Sequence, residues 1–144
     1  MSCLVKPSEA FTIGMHAVAL LAKNWNKLLR VKKIAQSCGV SEAHLAVVLQ
    51  RLARAGIVKS ERGPAGGFAL SCLPEEITMY RIWEIIDGPS EQGICPFSIP
   101  ACRQESCTLG KKFAQMNQQL IGMMQETTLR DLSSAVSCEM GAGL

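Results

Sequence analysis

Three cysteines fall within thirteen residues, Cys95, Cys102 and Cys107, in the stretch GICPFSIPACRQESC, with six residues in the first gap and four in the second. Thiolates are soft ligands that suit zinc, copper(I) or an iron–sulfur cluster, and a proline-containing loop can wrap three of them around one centre. The C-x2-C pairs typical of structural zinc are absent. The same thiols, left bare, can close a disulfide on oxidation and so act as a redox sensor. Covalent catalysis is a poor fit, because a cysteine nucleophile needs a base nearby and the only histidines, His16 and His44, fall in other segments. The chain therefore does not read as an enzyme. It carries seven cysteines in all, and an odd count argues against a disulfide framework. Cys38 and Cys72 read as small buried hydrophobes, and Cys3 and Cys138 lie near the ends.

A second set of residues points to a polyanion. Net charge is only +3, but residues 1–70 carry ten Lys/Arg against three Asp/Glu, while residues 71–144 carry five against nine. A basic first half joined to an acidic second half suits contact with nucleic acid. The start, MSCLVKPSEA, lacks the basic-then-apolar pattern of a secretory signal. No apolar run approaches the length of a membrane span, so the expected location is cytoplasmic, with no membrane partner.

The elements that must position these residues follow from pattern. Segment 9–24 reads as a buried helix capped by Ser8, and 31–37 as a short helix ended by Cys38-Gly39-Val40. Ser41 caps a helix over 42–55, with Leu45, Val48, Leu49 and Leu52 on one buried face. Two helices joined by a glycine turn make a helix-turn-helix, whose second helix enters the major groove N-terminus first. Ser41, Glu42 and His44 stand at that end; Ser and His can bond base edges and Glu can accept from cytosine N4. Lys33, Arg51 and Arg54 suit phosphates. Two β-prone stretches, 57–61 and 68–72, flank a Gly/Pro turn and form a hairpin wing. Lys59 and Arg62 stand at its base and tip, and Gly63, Gly66 and Gly67 let the main chain approach a phosphate closely.

After a helix over 79–87, capped by Thr78 and stopped by Gly88-Pro89, comes the cysteine-rich stretch, and then one long helix expected over 108–134. Leu109, Phe113, Met116, Leu120, Met123 and Thr127 are spaced 4-3-4-3-4 along it, a heptad-like seam for a second copy of the chain. The expected fold is mainly α with a small β-hairpin wing: a winged helix-turn-helix plus a long C-terminal dimerisation helix. Its divisions are 1–87 for DNA binding, 88–107 as a cysteine-rich sensor loop, 108–136 for dimerisation and 137–144 as a flexible tail. Winged helices also serve as protein-interaction modules, so the rival to DNA binding is a module of that kind.

The run LRVKKIAQSCGVSEAHLAVVLQRLARAGIVKSERGPAGGFALSCLPEEITMYRIWEIIDGP resembles the IscR/NsrR/CymR family of bacterial regulators, also called the Rrf-two family, most specifically in RGPAGGF followed by LPEEIT. The resemblance spans residues 9 to about 132. It implies a homodimer on palindromic double-stranded operator DNA, with Ser41, His44 and Arg62 at positions that touch it. In many members it implies an iron–sulfur cluster, 2Fe–2S or 4Fe–4S, held by three cysteines of this loop. Family loops have a shorter first gap and a longer second one. Ala46 stands where IscR has a glutamate that contributes to discrimination, so the operator sequence does not carry over. The fourth ligand is open. Gly110 occupies the position of the IscR histidine, and Thr12 matches the acidic residue that NsrR-type proteins supply from the partner's first helix. Glu9, His16, Glu91 and Glu105 are the other candidates.

Overall fold

The computed structural model describes residues 6–89, 95, 97, 99, 101–102 and 106–136. Cys3, Glu91, Glu105, Cys138 and the tail 137–144 lie outside the described residues.

Helix α1 (Glu9–Lys23) begins where the Ser8 hydroxyl accepts the Phe11 N–H at 2.9 Å. Its Ala17, Val18, Leu20 and Leu21 are fully buried, so it serves as the central strut on which the other helices pack. Gly14 makes this possible: a Cβ there would overlap the Ile86 side chain and crowd Val48, so α1 lies close to two neighbours at once. Helix α2 (Val31–Cys38) ends at Gly39, whose φ of 67° is left-handed and lets its N–H reach the Ala35 and Gln36 carbonyls. Ser41 then caps helix α3 (Glu42–Arg54), accepting the His44 N–H at 3.2 Å. Leu45, Val48, Leu49 and Leu52 are its buried face, each contributing about 1.5–3 kcal/mol by leaving water.

Strands β1 (Val58–Glu61) and β2 (Gly67–Leu70) pair antiparallel, with Val58 opposite Leu70 and Glu61 opposite Gly67. Leu29, between α1 and α2, exchanges both backbone hydrogen bonds with Phe68 (2.9 and 2.8 Å), fastening the hairpin to the helix-turn-helix. Helix α4 (Met79–Asp87) is capped by Thr78 and buries Ile82 and Ile86.

The expected single C-terminal helix is two. Helix α5 (Thr108–Glu126) stops at Thr127, whose backbone is extended, and Thr128 opens helix α6 (Leu129–Ala135). A reciprocal cap competes with helix continuation here: the Thr128 hydroxyl accepts the Asp131 N–H, while Asp131 Oδ2 accepts the Thr128 N–H at 2.8 Å. The freed backbone at Thr127–Leu129 pairs with the strand-like stretch before α4: the Met79 N–H donates to Thr127 O at 2.8 Å and the Leu129 N–H to Ile77 O at 2.9 Å. Leu129 is fully buried, which repays the break by returning α6 to the core against α1.

Asp131 has a carboxyl held below its ordinary value of 3.8, first by the Thr128 backbone N–H, then by the Thr128 hydroxyl, and by the Arg130 charge. A depressed folded value means that its stabilisation is fully present above the ordinary carboxylate value and is lost as pH falls through the lower, folded one. Asp131→Asn should therefore lower the unfolding midpoint at neutral pH and match the wild type at strongly acid pH. Thermal unfolding of both chains across the acid range checks this; a gap that stays constant with pH rules it out.

Candidate functional site

Helical residues at i, i+4, i+7 and i+11 share a face. On α3 the face opposite Leu45, Val48, Leu49 and Leu52 carries Ala43, Val47, Gln50 and Arg54, all exposed. The residues anticipated at the base-reading end are partly turned aside. Ser41 uses its hydroxyl as the α3 cap, and Glu42 is exposed in the first turn. His44 stands on the flank, with Nδ1 4.0 Å from Glu9 Oε1 of α1. Arg51 lies on the same flank and donates to the Ile86 carbonyl at 3.2 Å, closing the C-terminal end of α4. Lys33 is exposed on α2, Lys59 on β1, and Arg62 just beyond β1.

An open cleft of about 630 Å³ separates the C-terminal half of α3 from the wing, lined by Arg30, Gln50, Arg54, Arg62, Gly66 and Phe68. No ion pair with a carboxylate engages Arg30, Arg54, Lys59 or Arg62 among the described residues. Three guanidiniums, of Arg30, Arg54 and Arg62, line the cleft against the single carboxylate of Glu61, a net positive wall of the kind that receives a phosphate backbone. Sequence patterning missed Arg30. Its guanidinium donates to the Pro64 carbonyl and ties the wing turn to the start of α2, a link to a residue 34 positions away that no local pattern signals. Arg54 is among the cations the sequence marks for phosphates, and Val47 was within reach of the pattern as a residue opposite the buried stripe.

The wing glycines answer first to the wing itself. A Cβ on Gly66 would collide with the Glu61 carbonyl, and the Gly66 N–H closes the turn on Gly63 O at 3.0 Å. A Cβ on Gly67 would sit 2.5 Å from Leu29 O and 2.7 Å from its carbonyl carbon, backbone atoms that have nowhere to yield. Gly67→Ala should push β2 off Leu29, costing about 1–3 kcal/mol of stability and weakening DNA binding through the displaced wing. Thermal unfolding and DNA titration of the same sample check it; an unchanged midpoint rules out the fastening.

The thiol loop meets α5 directly. Cys107 is the N-cap of α5, its Sγ accepting the Gly110 N–H at 3.4 Å, and is half-buried, as is Cys95; Cys102 is exposed. Phe97, from the same loop, packs edge-to-face on Phe113 of α5, with centroids 5.3 Å apart at 73°. Three thiols are a donor set whose chemistry fits a thiophilic centre. Among the described residues no three His, Cys, Asp or Glu side chains are gathered as a metal site. Of the fourth-ligand candidates, the Thr12 hydroxyl donates to Ser8 O and His16 Nδ1 to Thr12 O, while the Glu9 side chain is 81% exposed. Cys38 and Cys72 are half-buried against the core, and the Cys72 thiol donates to Gly56 O.

Along α5, Leu109, Met116, Leu120 and Met123 are 49%, 52%, 38% and 49% exposed, a row of large apolar side chains that the single chain leaves in water. Among the described residues no helix is long and apolar enough to cross a membrane.

Comparison with known proteins agrees in fold and class. The family model described as "Rrf2: Iron-dependent Transcriptional regulator" matches residues 8–135. A putative HTH-type transcriptional regulator of Aquifex aeolicus is 29% identical over 87% of this chain and 89% of its own. The HTH-type transcriptional regulator CymR of Bacillus subtilis is 30% identical over 87% of this chain and 86% of its own. Its solved structure, described as the global cysteine regulator of B. subtilis, superposes with a TM-score of 0.76 over 92% of this chain and 98% of that one, at 30% identity. The oxidised form of Staphylococcus aureus CymR superposes with a TM-score of 0.71 over 90% and 96%, at 25% identity.

Proposed function

Because the chain belongs to the Rrf2 family of transcriptional regulators, we propose that it is a homodimeric repressor or activator that binds a two-fold operator through α3 and the wing and senses its signal through Cys95, Cys102 and Cys107. The observation that carries the DNA-binding half is the cation-walled cleft between the outward face of α3 and the wing. The reading helix supplies Ser41, Glu42 and His44 at its entry end. Lys33, Lys59 and Arg62 meet the phosphates, and Gly66, whose N–H closes the wing turn on Gly63 O, lets the tip approach them closely. Arg51 acts at one remove, through its bond to α4. The exposed apolar row of α5 supplies the seam for a second copy, which sets the spacing of the two reading helices.

The sensor half rests on three thiols whose last member heads the seam helix. Cys95, Cys102 and Cys107 would hold an iron–sulfur cluster, in keeping with the iron dependence in the family's description; when bound, it supplies a centre sensitive to redox state and small ligands. What the chain itself does is couple the loop to α5, at Cys107 covalently and at Phe97–Phe113 by packing. A second reading, a bare-thiol redox sensor, is favoured by the exposure of Cys102 and by the resemblance to CymR in its oxidised form.

Duplex binding should fall steeply with salt, with a log–log slope near −0.9 per neutralised phosphate. Arg62→Ala should weaken binding to every sequence alike and reduce that slope by about one contact. Titrations of genomic duplex at several salt concentrations measure both. A salt-independent affinity, or none for any duplex, rules out the DNA-binding half.

A further inference from the structure

We propose that Val47 and Gln50 together read one T·A base pair in each half-site, Val47 packing on the thymine C5-methyl group and Gln50 bonding the paired adenine. The inference rests on the DNA-binding reading above and adds the chemistry of what is read. Val47 is 54% exposed at the centre of the outward face of α3, directly opposite the buried Leu45–Leu52 stripe. A surface valine alone signifies little. Its setting signifies more. Helical side chains lean toward the N-terminus, so the Val47 isopropyl group covers the turn of Ala43, which offers only a methyl and leaves it unobstructed. The longer polar residues of that end do not compete for the position, since Ser41 caps the helix and His44 is turned toward Glu9. The cations that hold the backbone, Arg54 and Arg62, lie beyond Gln50 along the same cleft.

A helix docked with this face in the major groove presses Val47 on a base edge. Only thymine offers an apolar group there; cytosine offers an amino donor and the purines offer polar edges, which a valine desolvates without compensation. Gln50 follows three residues later, so the two Cβ atoms stand about 5–6 Å apart, within the width of one base pair's major-groove edge. Glutamine matches the N6 donor and N7 acceptor of adenine in a bidentate pair.

The test uses the full-length protein. Half-sites are selected from a random duplex pool, and each thymine is then replaced in turn by deoxyuridine, which removes only the methyl group. One position per half-site should lose about three- to fivefold in affinity, the worth of one buried methyl-sized group. Val47→Ala should bind the thymine and deoxyuridine duplexes alike. At the paired adenine, 7-deazaadenine should weaken the wild type and leave Gln50→Ala unchanged. Both variants alter exposed side chains, and unchanged thermal unfolding confirms that they fold. If a sequence is selected but deoxyuridine is silent everywhere, or Val47→Ala retains the full deoxyuridine penalty, the assignment is wrong while DNA binding stands. If no sequence is selected above non-specific binding, the DNA-binding reading falls and this inference falls with it.

Discussion

Leu120→Lys should leave the chain monomeric and unable to hold operator DNA at concentrations where the wild type binds. Leu120 sits midway along α5, between Met116 and Met123, in a row of side chains that contribute little to the single-chain core: each is at least 38% exposed, and Met124 is the buried residue of that helix. An ammonium group there would be desolvated against the same apolar row of a second copy, with no carboxylate in the row to pair with it. An uncompensated charge in such a seam costs on the order of 3–5 kcal/mol, and two-fold symmetry places two of them in each dimer. The seam should therefore open by several orders of magnitude in dissociation constant. The fold should survive, because the core is built from α1, α2, α3, α4, α6 and the wing base, to which α5 adds Met124 and not Leu120. Light scattering gives the mass and far-ultraviolet circular dichroism the fold. A native-like chain of unchanged dimer mass would mean that the second copy docks elsewhere.

Replacing any one of Cys95, Cys102 or Cys107 with Ala should remove most of the iron and sulfide and the visible chromophore from anaerobically prepared protein, whereas Cys72→Ala should keep both. Three ligands from one short loop act as a unit, and losing one opens the centre to solvent. Cys72 is committed differently, with its thiol on the Gly56 carbonyl beside the core. Cys107→Ala also removes the α5 cap, so among the cluster-free proteins it should show a lower unfolding midpoint than Cys95→Ala or Cys102→Ala. Iron and sulfide analysis with DNA titration on the same samples checks the assignment. Equal cluster content in all four variants and the wild type would overturn it. A colourless wild type that closes a loop disulfide on oxidation would instead establish the bare-thiol sensor.

Where local chemistry governs, the fold could be read in advance. Ser8, Ser41 and Thr78 cap the helices they precede, Gly39 makes the turn, and the Leu45–Leu52 stripe is the buried face. The break at Thr127 was missed because the heptad-like spacing was carried past Met123, its last apolar member, to Thr127 itself. Its signal was nonetheless local: a threonine followed three residues later by an aspartate, the pattern of a reciprocal cap. The site was only half legible. Residue type marks His44 and Arg51 as candidates for DNA contact, but could not show that His44 stands 4.0 Å from Glu9 of α1 or that Arg51 donates to the Ile86 carbonyl of α4. Those partners are distant in sequence, as Pro64 is for Arg30. The free face of a helix is decided by what covers the others, and that is tertiary information.

The junction at Thr127 and Thr128 gives α5 one fixed end. Backbone bonds to Ile77 and Met79 and the buried Leu129 rivet it to the body that carries the reading helix. From there the nineteen residues of α5 extend about 28 Å at 1.5 Å per residue, out to the thiol at Cys107. Such an element is a cantilever. A push at its far tip would tilt it about the riveted root rather than slide it along a partner, and each side chain between would move more the farther it stands from that root. Leu109 would then travel far and Met123 hardly at all, so a signal at the thiols should open one end of the proposed seam first.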